Sequence, residues 1–182
     1  MMNESNFTVL NKLAKEHSIV LFGSTRASAV PLNELMQDYG LSQTIYNRSI
    51  PGLTLANAEK HLDACVFNLK PEKLILCLGE EDLKKENNVD KLIEQCRWLL
   101  YRIHTVVPET TMSVISVASS GKNAEKFNSA LQKLANECGC EYLQFTPPEN
   151  AEEYDLKFFR AIKSVFYSAN MSYADAVRYC AI

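Results

Sequence analysis

Short apolar runs alternate along the 182-residue chain with stretches whose apolar residues recur every three or four positions. A continuous apolar run suits a strand covered on both faces, and the longer spacing lays one stripe along a helix. The runs predict strands over 18–22, 43–47, 73–78, 112–117 and 141–145. The clearest helical stripe is Val89, Leu92, Ile93, Cys96, Leu99, Leu100 and Ile103. Ala124, Phe127, Leu131, Leu134 and Cys138 form a second, and Leu55, Ala58, Leu62, Cys65 and Leu69 a third. Phe7, Leu10 and Leu13 predict a helix before the first strand, and Tyr154, Phe158, Ile162 and Phe166 one after the fifth.

Strand alternating with helix defines βαβ units and a parallel sheet, and right-handed crossovers restrict the topology further. The expectation is a three-layer α/β/α, flavodoxin-like fold with five parallel strands in the order 2-1-3-4-5. No repeat, linker or low-complexity tract interrupts the alternation, so 1–182 reads as one domain, its core over about 18–166. The extension 167–182 carries Tyr167, Met171, Tyr173, Val177, Tyr179 and Ile182. It is expected to pack back on the domain, with covering the ligand crevice or joining a second copy as alternatives.

Composition narrows the classes of partner. The net charge of -3 is spread over 19 basic and 22 acidic residues without long blocks, which argues against a nucleic-acid or membrane surface. The first residues lack the basic start and apolar stretch of a signal peptide, and no apolar run approaches the roughly 18 residues of a membrane helix, so a cytoplasmic address is expected. Of the six cysteines, Cys65, Cys77 and Cys96 sit within apolar patterns, and Cys138-Gly139-Cys140 lacks the spacing of common zinc sites. Reduced structural thiols and no metal or other cofactor are expected.

Three stretches follow apolar runs: Phe22-Gly23-Ser24-Thr25, Asn47-Arg48-Ser49-Ile50-Pro51-Gly52 and Gly79-Glu80-Glu81-Asp82. In an open doubly wound sheet, loops at the carboxyl ends of the strands meet around one crevice. That crevice would gather Ser24, Thr25, Arg26, Arg48, Ser49, Gly52, Glu80, Glu81 and Asp82, with Ser119, Ser120 and Thr146 from later loops. Taken in order with the Leu69-Lys70-Pro71 lead-in, the three stretches resemble the first three sequence blocks of the SGNH (GDSL-type) hydrolases. That family cleaves esters and acyl groups with a serine, a glycine, an asparagine and a histidine. The resemblance covers about residues 18–145, extending at most to 166.

The resemblance implies a role for each matching position. Thr25 stands where the family has its nucleophilic serine, Ser24 where it has aspartate, and Gly52 at the oxyanion-hole glycine. Glu81 stands where the family has the asparagine that donates to the oxyanion. An ionised glutamate only accepts hydrogen bonds and repels the charge an oxyanion hole must stabilise. The family's last block, Asp-x-x-His, has no match: His17, His61 and His104 are the only histidines. Each of the three is expected at a surface or boundary position away from the crevice.

The expected protein is therefore SGNH-like with impaired or silent hydrolysis, binding a small polar ligand, an ester or a partner through Arg26, Arg48, Glu80 and Asp82. Arg26 is expected to pair with Glu81 or Asp82 over the old catalytic centre. An esterase with a rebuilt site using Thr25 or Ser24 is one alternative. A flavodoxin-like nucleotide binder, using the hydroxyl-rich loop Gly23-Ser24-Thr25 to hold phosphate, is another.

Overall fold

The computed structural model describes residues 4–167 and 172–182; residues 1–3 and 168–171, Met171 among them, lie outside the described residues. Strands β1 (Ile19–Gly23), β2 (Ile45–Asn47), β3 (Lys73–Cys77), β4 (Thr111–Ile115) and β5 (Glu141–Leu143) form one all-parallel sheet in the order β2-β1-β3-β4-β5. The three-layer α/β/α arrangement and the strand order are those the alternation predicts. The strands are shorter than most of the apolar runs because burial outlasts pairing: Leu78, Val117 and Phe145 stay buried beyond the strand ends.

Successive residues of a strand point to opposite faces, and here both faces are dry. Val20, Phe22, Leu74, Leu76 and Val114 pack with α1 (Glu4–Leu10), α4 (Leu55–Ala58), α5 (Leu62–Cys65), α7 (Val89–Val106) and α8 (Lys122–Glu137). Ile19, Leu21, Ile75 and Ile115 pack with α2 (Thr25–Ala29), α3 (Leu32–Asp38) and α9 (Tyr154–Ala161). A short helix, α6 (Glu80–Leu83), follows β3. The long α7 starts where the Asn88 side chain accepts from the Lys91 amide, satisfying one of the first-turn donors.

The stripe from Leu55 to Leu69 is not one helix. It winds as α4, a 3-10 turn, α5 and a second 3-10 turn that ends at Lys70, whose φ of 42° is left-handed. The residue before a proline avoids the helical region, and Pro71 ends the winding there. The tighter turns nevertheless keep Leu55, Ala58, Leu62, Cys65 and Leu69 buried.

The C-terminal extension packs back on the domain as α10 (Tyr173–Ala181). Ile182 joins the core beside α3 and α9, and Arg178 lies against Gly40 ahead of β2. The approach to it is pinned by Gln43, which donates to the Phe166 carbonyl at 3.0 Å, and by Lys73, which donates to the Val165 carbonyl at 2.9 Å. Gln43 precedes β2 and Lys73 opens β3, so this is the amino edge of the sheet, opposite the crevice. All six cysteines are free thiols, and burial pushes those of Cys77 and Cys96 up to about 12. Among the described residues no helix is long and apolar enough to cross a membrane.

Candidate functional site

The crevice is built on the close approach of β1 to β3. A Cβ on Gly23 would lie 2.7 Å from the Cys77 carbonyl oxygen and 2.7 Å from the Ala27 Cβ, so only glycine lets α2 begin directly after β1. The Ser24 amide donates to the Cys77 carbonyl at 3.1 Å, and Thr25 becomes the exposed first residue of α2. From the neighbouring strand end, the Asn47 side chain donates to the Ala27 carbonyl at 2.8 Å and accepts from the Ser49 amide at 3.1 Å. The Ile50 amide then donates to the Gly23 carbonyl at 2.9 Å. These bonds lay the second loop over the start of α2 and deliver Gly52, at a φ of 76° that favours glycine, to Thr25.

Thr25, Gly52 and Glu81 meet at one oxygen. The Gly52 amide donates to Thr25 Oγ1 at 2.8 Å, and Thr25 Oγ1 donates to Glu81 Oε1 at 2.8 Å. Lys84, one helical turn along from Glu81, donates to the same Oε1 at 3.0 Å. The Lys84 and Thr25 bonds hold the Glu81 carboxyl below the usual glutamate range, against a smaller opposing effect of burial. Chemically, the threonine proton is aimed at an ionised carboxylate, and the amide available to an oxyanion is already bonded to the hydroxyl.

The other charges are arranged differently from the sequence expectation. Arg26 does not pair with Glu81 or Asp82; its guanidinium lies over the Tyr154 ring, 4.9 Å from the centroid, and only partly offsets the burial that raises the Asp155 carboxyl above the ordinary aspartate range. The reason is that both acids are already engaged. Asp82 is buried, and its two oxygens accept from the Leu55 amide at 3.0 and 3.1 Å. Arg48 does not face the acidic loop either: it is buried between the Phe7 and Tyr46 rings. The half-buried Glu80 lies near enough to Cys77 and Tyr154 to help raise both pKa values, after burial as the main cause. Ser24 is buried with a hydroxyl that has no hydrogen-bond partner among the described residues, so none of them addresses it as a base.

Neither partner of Thr25 Oγ1 is a histidine. His17 stands ahead of β1 and His104 is exposed late in α7, while His61 lines a depression of about 300 Å³ with Gly52, Asn57 and Lys60. After β5, where the resemblance puts Asp-x-x-His, the chain runs through Thr146, Pro147 and Pro148 to Tyr154. No group of three or more His, Cys, Asp or Glu among the described residues is placed to hold a metal ion. Sequence reasoning missed Lys84 and Tyr154. The three-residue spacing from Glu81 at a helix start could have flagged Lys84. Tyr154 read only as part of an apolar stripe, and its contact with Arg26 joins distant loops.

Acidification tests the Thr25 centre. Glu81 is held below its unfolded pKa, so its contribution to stability is complete above the ordinary glutamate range and is lost as pH falls through the lowered value. Thermal melts should show the wild type losing more stability than Glu81→Gln over that interval. Parallel losses would mean that the Lys84 and Thr25 bonds are not formed in solution.

Known structures share this architecture. A protein from Streptococcus pneumonia described as a platelet activating factor superposes with a TM-score of 0.78 at 20% identity, over 90% of this chain and 91% of its own. An acylhydrolase structure from Bacteroides fragilis gives 0.68 at 13% identity, over 91% and 98%. The psychrotrophic esterase EstA from Pseudoalteromonas gives 0.67 at 14% identity, over 82% and 98%. No protein-family model matches the sequence, and no curated protein does. The chain has the fold of the SGNH (GDSL-type) hydrolases.

Proposed function

We propose that this is a cytoplasmic SGNH-fold protein in which ester hydrolysis is silent or strongly impaired, and whose crevice serves to bind a small polar ligand or a partner. The observation that carries this reading is the state of Thr25 Oγ1, which is held at 2.8 Å by both the Gly52 amide and Glu81 Oε1. A tetrahedral intermediate needs donors for its oxyanion, and a carboxylate at the asparagine position repels that charge instead. A hydroxyl also needs a base that takes its proton at neutral pH. Removing triad members costs on the order of 10⁴ to 10⁶ in turnover, and here nucleophile, one donor and base are all altered.

The 2.8 Å bond between Thr25 and Glu81 favours one second reading, a threonine esterase with Glu81 as general base. Lys84 weighs against it, because a carboxylate held below its ordinary pKa is a feeble proton acceptor near neutrality. Hydrolysis of p-nitrophenyl acetate and butyrate at pH 7 separates the two. The wild type is expected to turn over no faster than Thr25→Ala. Enzymatic rates abolished by both Thr25→Ala and Glu81→Gln would establish the second reading instead, and rates abolished by Ser24→Ala would assign the nucleophile to Ser24.

A further inference from the structure

Arg48 is the charged residue whose surroundings the crevice does not explain. It is 5% exposed, with its guanidinium 5.0 Å from the Phe7 ring centroid and 4.9 Å from that of Tyr46. Nε and Nη2 donate at 3.2 and 3.1 Å to a single neutral acceptor, Asn11 Oδ1. Asn11 is itself held in that orientation, its Nδ2 donating to the Ala64 carbonyl at 2.7 Å. The Lys15 amide donates to the Tyr46 hydroxyl at 2.8 Å, fixing the second ring. Two aromatic rings and one neutral acceptor therefore surround the guanidinium, and no carboxylate among the described residues pairs with it. A buried cation normally has a counter-charge, because desolvation without one is costly. Burial does hold the pKa of Arg48 below its ordinary value.

Arg48 also lines a cavity of about 710 Å³ that Thr25 does not line. Apolar groups from three parts of the chain form most of its wall: Phe7, Leu10 and Leu13 from the first helix and the turn after it, Val30 and Leu32 from the α2–α3 junction, and Tyr46 from β2. Ser49, also in the wall and 3% exposed, has a hydroxyl with no hydrogen-bond partner among the described residues. The site thus has a planar cation with donors to spare, an unused hydroxyl and an apolar chamber of the size that holds a small molecule. Glu34, the one acid in the lining, is exposed.

We propose that this cavity binds a carboxylate carried on an apolar chain, its head group on Arg48 and Ser49 and its chain against Phe7, Leu10, Leu13, Val30 and Leu32. A carboxylate fits because its paired oxygens match the guanidinium fork and supply the missing counter-charge. Glu34 at the wall disfavours a second negative charge along the chain, which selects a monoanion. The inference stands apart from the reading of the Thr25 centre, since it involves neither Thr25 nor Glu81.

Amide-resolved NMR titration with octanoate, and with octan-1-ol as the uncharged match, tests it. Octanoate is expected to give saturable shifts at Tyr46, Arg48, Ser49 and the first helix, and octan-1-ol to bind at least about tenfold more weakly. Leu13 lines the cavity yet is 89% exposed, so Leu13→Asp leaves the fold intact and should weaken octanoate about tenfold with an unchanged melting temperature. Arg48→Lys keeps the charge but loses the fork and should weaken it as well; if that variant does not fold, Leu13→Asp carries the test. Absence of saturable shifts at these residues, equal binding of octan-1-ol, or shifts centred on Thr25 and Gly52 would each overturn the proposal.

Discussion

Gly23→Ala is expected to destabilise the protein by about 3 kcal/mol, at the upper end of what one added methyl costs in a packed core. The new Cβ would sit 2.7 Å from the Cys77 carbonyl oxygen, 2.7 Å from the Ala27 Cβ and 2.9 Å from the Cys77 Cβ. One of those neighbours is backbone in the central pair of strands, where β1 and β3 are paired along their full length, so relief requires the sheet to move. Gly52→Ala provides the contrast. Nothing lies within 4 Å of a Cβ there, and the cost comes from its φ of 76° alone, about 1–2 kcal/mol. Chemical denaturation of both variants measures the difference. A loss under about 1 kcal/mol for Gly23→Ala would mean that α2 does not start as tightly against β3 as described.

That contrast bears on the functional reading as well. The glycine that resembles the family's first block holds the strand-to-helix turn regardless of chemistry, so its presence speaks for the fold. Gly52 has room around it and keeps the φ that turns its amide onto Thr25. Both glycines are thus explained by backbone geometry alone, and fold and function are separate claims in many families.

The fold was legible in the sequence because a two-faced parallel sheet writes a strong pattern. Val20 and Phe22 face one core, Ile19 and Leu21 the other, and no polar residue breaks the run. The convergence of Thr25, Gly52 and Glu81 was legible for a topological reason, since all three follow strand ends on one edge. Side-chain pairing was not. Arg26 and Glu81 share a crevice, yet Glu81 takes the near partner one helical turn away and Arg26 takes an aromatic face. Loop residues have several partners within reach, and sequence order alone does not rank them. Arg48 was misplaced for a related reason: its guanidinium takes the Phe7 and Tyr46 rings and the Asn11 side chain in place of the acidic loop.

Asp82 offers the second large effect. The sequence expectation is that it binds a ligand in the crevice, but it is 5% exposed and both of its oxygens accept from the Leu55 amide at the first residue of α4. Asp82→Ala should cost about 2–3 kcal/mol, because a buried amide left without an acceptor loses more than the bond itself. Asp82→Asn keeps one acceptor oxygen and should cost about 1 kcal/mol or less. Wild type and Asp82→Asn also separate by pH. Burial, the largest influence on Asp82, raises its carboxyl above the ordinary range even though the Leu55 amide pulls the other way. Between the unfolded pKa and the raised folded one, the native state holds the proton more tightly, so this residue's contribution is full at low pH and declines as pH rises. Glu81, its neighbour in sequence, runs in the opposite sense. Melts across the acid range should therefore show the wild type losing its advantage over Asp82→Asn as pH rises from 4 to 7. A wild type that gains stability relative to Asp82→Asn over that interval would rule this out.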